Sequence, residues 1–202
     1  DGSKSFASIF AIASTTLTAE NYVGMSGGVV DFDEGAAAIG SEVVFESARS
    51  DYTTATYDSN SNRIVIAYSD NGNSRYGTAV VGTVSGTSIS FGTPVVFESA
   101  DCYSAMSANF DSTSNKIVIT YQDGGNSDYG TAIVGTVNPS NNSISFGTAA
   151  VFNSAATNLN NLCSCYDPDA NKTVISYVDR GNSFYGTAIV GTISGTDISF
   201  GS

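Results

Sequence analysis

The chain has 202 residues and a formal net charge of −12, from 7 Lys and Arg against 19 Asp and Glu. A surface this negative repels nucleic-acid phosphates and anionic lipids, and no apolar run approaches the roughly 20 residues that a membrane helix needs. Histidine is absent, which removes the commonest general base and neutral metal ligand. We therefore expect no nucleic-acid partner, no membrane insertion, no cofactor and no enzymatic activity.

Residues 1–38 precede the repeated part of the chain and form a predicted N-terminal β arm and tether. The sequence starts with Asp1 rather than Met, so we expect a processed chain or a fragment. No Gly, Pro, Asn or Asp occurs between Lys4 and Glu20, which predicts one or two strands without partners nearby. Such an arm either packs on its own domain or adds as a strand to a neighbouring subunit. Its apolar side chains are Phe6, Ile9, Phe10, Ile12 and Leu17.

One string of nine residues recurs three times along residues 39–202. It reads YGTAVVGTV, YGTAIVGTV and YGTAIVGTI, and its first glycines, Gly77, Gly130 and Gly186, are 53 and 56 residues apart. The extra residues of the longer interval fall in predicted turns, so we expect the strands to keep one length and register. The predicted domain 39–202 therefore contains three repeats, over about 39–91, 92–146 and 147–202.

Each repeat predicts four short strands. The first strand ends at an Asp that opens a D-x-x-x-N turn, and the second is almost entirely apolar, which indicates burial on both faces. The third strand is the YGTA string, and the fourth runs over 89–97 in the first repeat and 144–152 in the second. The second strands carry one equivalent isoleucine each, which we expect to be nearly fully buried: Ile66, Ile119 and Ile175.

This pattern predicts an all-β, β-propeller-like fold with three four-stranded antiparallel blade repeats plus the N-terminal strand arm. A β-trefoil-like threefold barrel is the alternative, because it also contains three units of four strands. The pattern D-x-x-x-N-K-I-V-I-x-Y-x-D-x-G-N-S-x-Y-G-T-A-I-V-G-T-V-S-G-T-x-I-S-F-G, over about 39–202, resembles the tandem β-propeller-like repeats of extracellular and phage-tail-associated proteins. It is also similar to the protomers of glycosylated helical fibrils of aquatic microorganisms, and this resemblance implies a filament.

The repeat is interrupted in a way that predicts self-assembly. The first two repeats close with V-V-F-E-S-A at 95–100 and A-V-F-N-S-A at 150–155, whereas the third stops at Ser202 before this strand end. A matching V-V-F-E-S-A occurs at 43–48. We expect an unpaired strand edge that is satisfied either by residues 1–38 or by another copy, and head-to-tail pairing of copies gives a ring or an open filament.

A polar loop precedes each third strand and carries Asp, Asn and Tyr in the pattern D-x-G-N-S-x-Y. Such groups bind sugar hydroxyls, so three equivalent loops predict three candidate carbohydrate sites. A hairpin turn with its Gly at positive φ explains the same pattern structurally. The candidate residues are Asp70, Asn73, Tyr76, Asp123, Asn126, Tyr129, Asp179, Asn182 and Tyr185.

Three further motifs concern metals, glycans and disulfides. The D-x-x-x-N turns lack the glycine and the bidentate glutamate of a calcium loop, so they favour structural turns and no metal site. Asn141 and Asn171 begin glycosylation sequons, where we expect covalent glycans. Cys102 with either Cys163 or Cys165 is a candidate disulfide, and three buried free thiols are the alternative.

The most consistent functional prediction is an extracellular or cell-surface structural subunit. A single repeat family, an interrupted strand and an apolar arm all suit a protein that pairs with copies of itself into a filament or ring. Carboxylates recur once per repeat, so no unique pair stands out for glycoside hydrolysis. The alternative function is a carbohydrate-binding or adhesin module that uses the D-x-G-N-S-x-Y loops.

Overall fold

A computed structural model describes residues 12–13, 16–17, 40–157 and 161–201. The chain divides into two compact units, Asp1–Ala38 and Ile39–Ser202. In the first unit, β1 (Ile12–Ala13) pairs antiparallel with β2 (Thr16–Leu17). The other apolar residues predicted for the arm lie outside the described residues: Phe6, Ile9 and Phe10.

The second unit consists of three antiparallel sheets, one around each YGTA string, which confirms the prediction of an all-β chain. The first sheet contains β3 (Ser50–Asp58), β4 (Arg63–Asp70), β5 (Tyr76–Ser85), β6 (Ser88–Phe91) and β7 (Val95–Asp101). The second contains β8 (Met106–Asp111), β9 (Lys116–Asp123), β10 (Tyr129–Asn138), β11 (Ser143–Phe146) and β12 (Ala150–Ala156). The third contains β13 (Cys163–Asp167), β14 (Lys172–Asp179), β15 (Tyr185–Ser194) and β16 (Asp197–Phe200).

The first four strands of every sheet are neighbours in chain order, and the fifth strands β7 and β12 pair with the third strands β5 and β10. The described helices are single 3-10 turns before the third strands, at Asn71–Asn73, Gly124–Asn126 and Arg180–Asn182. No helix in the described part of the chain has the length and apolar character needed to cross a membrane.

The predicted fourth strand is wrong in one respect, because it is two strands rather than one. In the first sheet, β6 pairs with Gly82–Ser85 of β5, and β7 then pairs with Tyr76–Ala79 on the same edge. The break falls at residues 92–94, where Pro94 has no N–H to donate and the N–H of Gly92 donates to the carbonyl of Val81 at 2.9 Å. The first two sheets therefore have five strands, and the third has four in the described residues.

The second sheet lies between the other two and is buried on both faces. Along β9, Ile117, Ile119 and Tyr121 pack in a core with the first sheet, while Val118 packs in a core with the third. This alternation follows from the two-residue period of a strand. A strand whose sheet has neighbours on both sides therefore buries apolar residues at consecutive positions, as Ile117–Ile119 does.

Burial of the three equivalent isoleucines depends on the sheet. Ile119 and Ile175 are fully buried, as predicted, but Ile66 is only half-buried. Ile66 belongs to the outer face of the first sheet, which no other sheet among the described strands covers. Identical sequence positions thus acquire different environments from their place in the stack of sheets.

Substituting these isoleucines should separate the two environments. Ile119→Ala removes fully buried methylenes and should lower the free energy of unfolding by about 2–5 kcal/mol, measured by urea denaturation of dilute subunit. Ile66→Ala is the matched control and should cost less, because part of that side chain is already exposed. Equal losses would contradict the assignment of Ile66 to an open face.

Candidate functional site

The predicted carbohydrate loops are built around backbone capping. In the first loop, one carboxylate oxygen of Asp70 accepts from the N–H groups of Gly72 and Asn73, at 2.9 and 3.2 Å. Asp123 caps the equivalent 3-10 turn through the N–H groups of Gly125 and Asn126, and Asp179 caps the third turn through that of Gly181 alone. The capping geometry satisfies N–H groups that the short helix leaves without carbonyl partners.

The remaining loop candidates are distributed with one set per sheet. Asn73, Asn126 and Asn182 are exposed at the last positions of the 3-10 turns, and each loop tyrosine opens the third strand of its sheet. Tyr185 is 63% exposed, whereas its two equivalents are half-buried. The loops therefore offer exposed amides, but their carboxylates already bind the backbone of the loop itself.

The D-x-x-x-N turns are also closed on their own backbone. Asp111 accepts from the N–H groups of Thr113 and Ser114, both at 2.9 Å, and Asp58 and Asp167 repeat this arrangement. Within the described ranges, no group of three or more carboxylate or thiol side chains is placed to hold a metal ion.

The two sequon asparagines are exposed in turns, but their surroundings differ. Asn141 lies in the longer turn of the second sheet, and its side-chain oxygen accepts from the hydroxyl of Ser143 at 2.7 Å. Asn171 accepts from the hydroxyl of Tyr166, while the sequon residue Thr173 is buried in β14. The hydroxyl residue of the Asn141 sequon, Ser143, is half-buried, whereas that of the Asn171 sequon is fully buried.

The three cysteines are unpaired, so the candidate disulfide is not formed in the structure. Cys102 is buried in the core between the first two sheets, and Cys163 and Cys165 are exposed along β13. Burial and the nearby carboxylates of Glu98 and Asp123 raise the pKa of the Cys102 thiol well above its usual range. That thiol is consequently protonated and unreactive at neutral pH.

The sequence did not predict the feature that joins the sheets. This feature is a phenylalanine ring on the fifth strand, which follows the break in the first and second sheets. Phe97 of β7 lies over Gly77 of the first sheet so closely that a Cβ at Gly77 would be 2.5 Å from the ring. The same ring packs against Tyr121 of the second sheet, with ring centroids 5.2 Å apart. We call this arrangement of glycine, phenylalanine and tyrosine a joint.

The second joint repeats the first. Phe152 of β12 lies over Gly130 of the second sheet and 5.1 Å from Tyr177 of the third. The repeated Gly of YGTA and the repeated Phe of the V-F motif were the available sequence signals. Their significance depends on contacts between sheets, which a linear pattern does not display.

A carboxylate accompanies the aromatic ring in the first joint. Glu98 accepts a hydrogen bond from the hydroxyl of Tyr121 at 3.1 Å. Burial, followed by the negative charge of Asp123, raises the pKa of Glu98 above its usual value. In the second joint the equivalent residue is Asn153, whose amide donates to Asp179 at 3.2 Å.

The third sheet has an open face and an open edge at positions that are covered in the first and second sheets. Val190 is 46% exposed, while its equivalents Val81 and Val134 are fully buried. Along Tyr185–Ala188, β15 pairs with β14 on one edge, and no described strand pairs with its other edge, where β5 and β10 pair with β7 and β12. The third sheet therefore presents half of a joint.

No protein-family model matches the chain, and no curated protein is significantly similar to it in sequence.

Replacing Glu98 tests the electrostatics of the joint. A folded-state pKa above the unfolded one means that ionised Glu98 opposes folding, so wild type loses stability as pH rises through that pKa. Glu98→Gln removes the ionisable group but keeps an oxygen for Tyr121, so it should be more stable than wild type at pH 7. The gain should be at most about 1 kcal/mol, because solvent screens the charge of a partly buried carboxylate. At pH 3 the two proteins should unfold alike in thermal melts. If the melting temperatures of the two proteins differ by the same amount at every pH from 3 to 7, the raised pKa of Glu98 is contradicted.

Proposed function

We propose that this protein is a structural subunit that assembles head-to-tail with copies of itself, into a filament or a ring, by pairing of strands. The observation that carries the proposal is the open edge and face of the third sheet, where residues identical or similar to buried ones are exposed. An unpaired strand edge beside an apolar face is a template for another chain. The open edge and face of the third sheet must be covered by a different surface of the next copy, so the contact is heterologous. Such a contact can repeat from copy to copy.

A β-propeller-like relation between the sheets, each acting as one blade, is part of this proposal. Each repeat makes its own up-and-down sheet, and successive sheets pack face to face through equivalent residues. Both properties favour blades over a β-trefoil, whose three units share one barrel. Propellers typically need at least about four blades to close, so three leave an opening that further copies fill in this proposal.

An extracellular or cell-surface location and a non-catalytic role complete the proposal. The exposed position of Asn141 suits a covalent glycan on the outside of such an assembly. The apolar arm in residues 4–19 remains a candidate for a second contact between copies. The alternative of a carbohydrate-binding module has less support, because Asp70, Asp123 and Asp179 already bind the backbone of their loops.

The mass of the particle formed by the full chain tests the proposed function. Sedimentation velocity and electron microscopy over rising protein concentration should show species much larger than one 20.7 kDa subunit. Added salt should favour them, because it screens the repulsion between copies that each carry a charge of −12. A mass that stays at one subunit under all these conditions would overturn the proposal.

A further inference from the structure

The two joints within the chain define what a complete connection between sheets requires. One half is the strand edge of the preceding sheet, where Gly77 faces Glu98, Thr78 faces Val96 and Ala79 faces Val95. The other half is the tyrosine of the following sheet, which packs on the phenylalanine. The second joint has the same register, with Gly130 opposite Asn153.

The segments 95–100 and 150–155 form the two joints, and a third copy of this sequence lies before the first sheet, at 43–48. It packs on the sheet that follows it but pairs with no sheet that precedes it. Phe45 packs on Tyr68 and Phe91, with ring centroids 5.1 and 5.8 Å apart, as Phe97 packs on its own two aromatic partners in the second sheet. Glu46 accepts from the hydroxyl of Tyr68 at 3.4 Å. The segment 43–48 is therefore already docked on the sheet that follows it.

The other side of this segment is open. Val44 is 76% exposed, against 41% for its equivalent Val96, and the segment belongs to no strand. Its backbone accordingly has no preceding sheet to pair with in the described part of the chain.

The third sheet has the complementary half free. Gly186 is equivalent to Gly77 and Gly130, but nothing lies within 4 Å of a Cβ built on it, whereas the other two are each covered by a phenylalanine ring. The edge Gly186–Ala188 borders two adjoining surface depressions, one of about 380 Å³, that share Tyr177 in their lining. A strand that entered there would bury the backbone of β15 as β7 buries that of β5.

We propose that segment 43–48 of a second copy of this chain completes the third sheet as its fifth strand, with the ring of Phe45 of the partner subunit over Gly186. Transfer of the register within the chain places Gly186 opposite Glu46 of the partner subunit, Thr187 opposite Val44 of the partner subunit and Ala188 opposite Val43 of the partner subunit. The contact rests on the proposed head-to-tail assembly and specifies its two surfaces.

The sheet faces support a second copy rather than an unrelated partner. The open face of the third sheet carries Val174, Ser176, Ala188 and Val190, whose equivalents in the first sheet pack on the second sheet. The outer face of the first sheet carries three half-buried isoleucines, Ile64, Ile66 and Ile89, whose equivalents receive that packing in the second sheet. Val80 and Tyr68 on the same face are fully buried. One chain thus displays both sides of an interface that it already forms internally.

The same segment does not reach the third sheet of its own chain in the structure. The cores that the first and third sheets make lie on opposite faces of the second sheet, so the outer face of the first sheet and the open face of the third point away from each other. Joining them between copies extends the stack by three sheets for each subunit added.

Gly186→Val tests the contact with little effect on the subunit, because the added side chain meets open space there. In the complex it would meet the ring of Phe45 of the partner subunit, so the concentration needed for assembly should rise at least about tenfold. Thr148→Val is the control: it changes an exposed residue in the break of the second sheet, away from the end faces of the stack, and should assemble as wild type does. Thermal melts of each variant report whether the subunit itself is intact.

A peptide of residues 41–49 provides a second measurement that does not depend on the fold of a variant. Added to wild type, it should occupy the edge of β15 and shorten or dissolve the assembly, whereas the same peptide with Phe45→Ala should not. Assembly of wild type that is unaffected by the peptide and by Gly186→Val would overturn this contact and leave the proposed function intact. A wild type that never assembles would overturn both.

Discussion

The structure depends on one repeated requirement: an aromatic ring must lie between the glycine of one sheet and the tyrosine of the next. Phe97 and Phe152 meet it by following a break in the strand, which lets the chain pair with one sheet while its side chain packs on another. Glycine at positions 77 and 130 is then a steric necessity, because any Cβ would collide with the ring. Each joint couples backbone pairing within one sheet to side-chain packing on the next sheet.

This coupling explains why similar repeats are not equally buried. A sheet of four or five strands has two apolar faces and cannot cover both by itself, so a repeat gains stability mainly from its neighbours. The second sheet has neighbours on both faces, and Val118 and Ile119 are both fully buried. In the third sheet Ile175 is buried but Ser176 is exposed, because only one face has a neighbour. Whether an apolar face is exposed thus depends on whether its sheet lies inside the stack or at its end.

The polar loops and turns of the repeats have a composition that suggests ligand binding, but their aspartates cap the backbone instead. Aspartates at the starts of turns, such as Asp70 and Asp111, accept two backbone N–H groups each and so fix the hairpins at constant length. The longer turn of the second sheet is used in packing: the side-chain oxygen of Asn142 accepts from Arg63 and Thr83 of the first sheet at 2.7 and 3.0 Å. Insertion of residues in this turn therefore adds a contact between sheets and leaves the strands unchanged.

The sequence by itself determined the all-β class, the three repeats, the apolar second strands and the turns, because each of these follows from periodicity and local hydrogen bonding over a few residues. It did not determine that the fourth strand breaks at Pro94, that Ile66 is less buried than Ile119, or that Gly77 and Phe97 meet. These features were decided by the tertiary structure, since they depend on which sheet lies against which face. Equivalent residues in a repeat carry the same local information, and only their neighbours in space distinguish a covered glycine at 130 from an open one at 186.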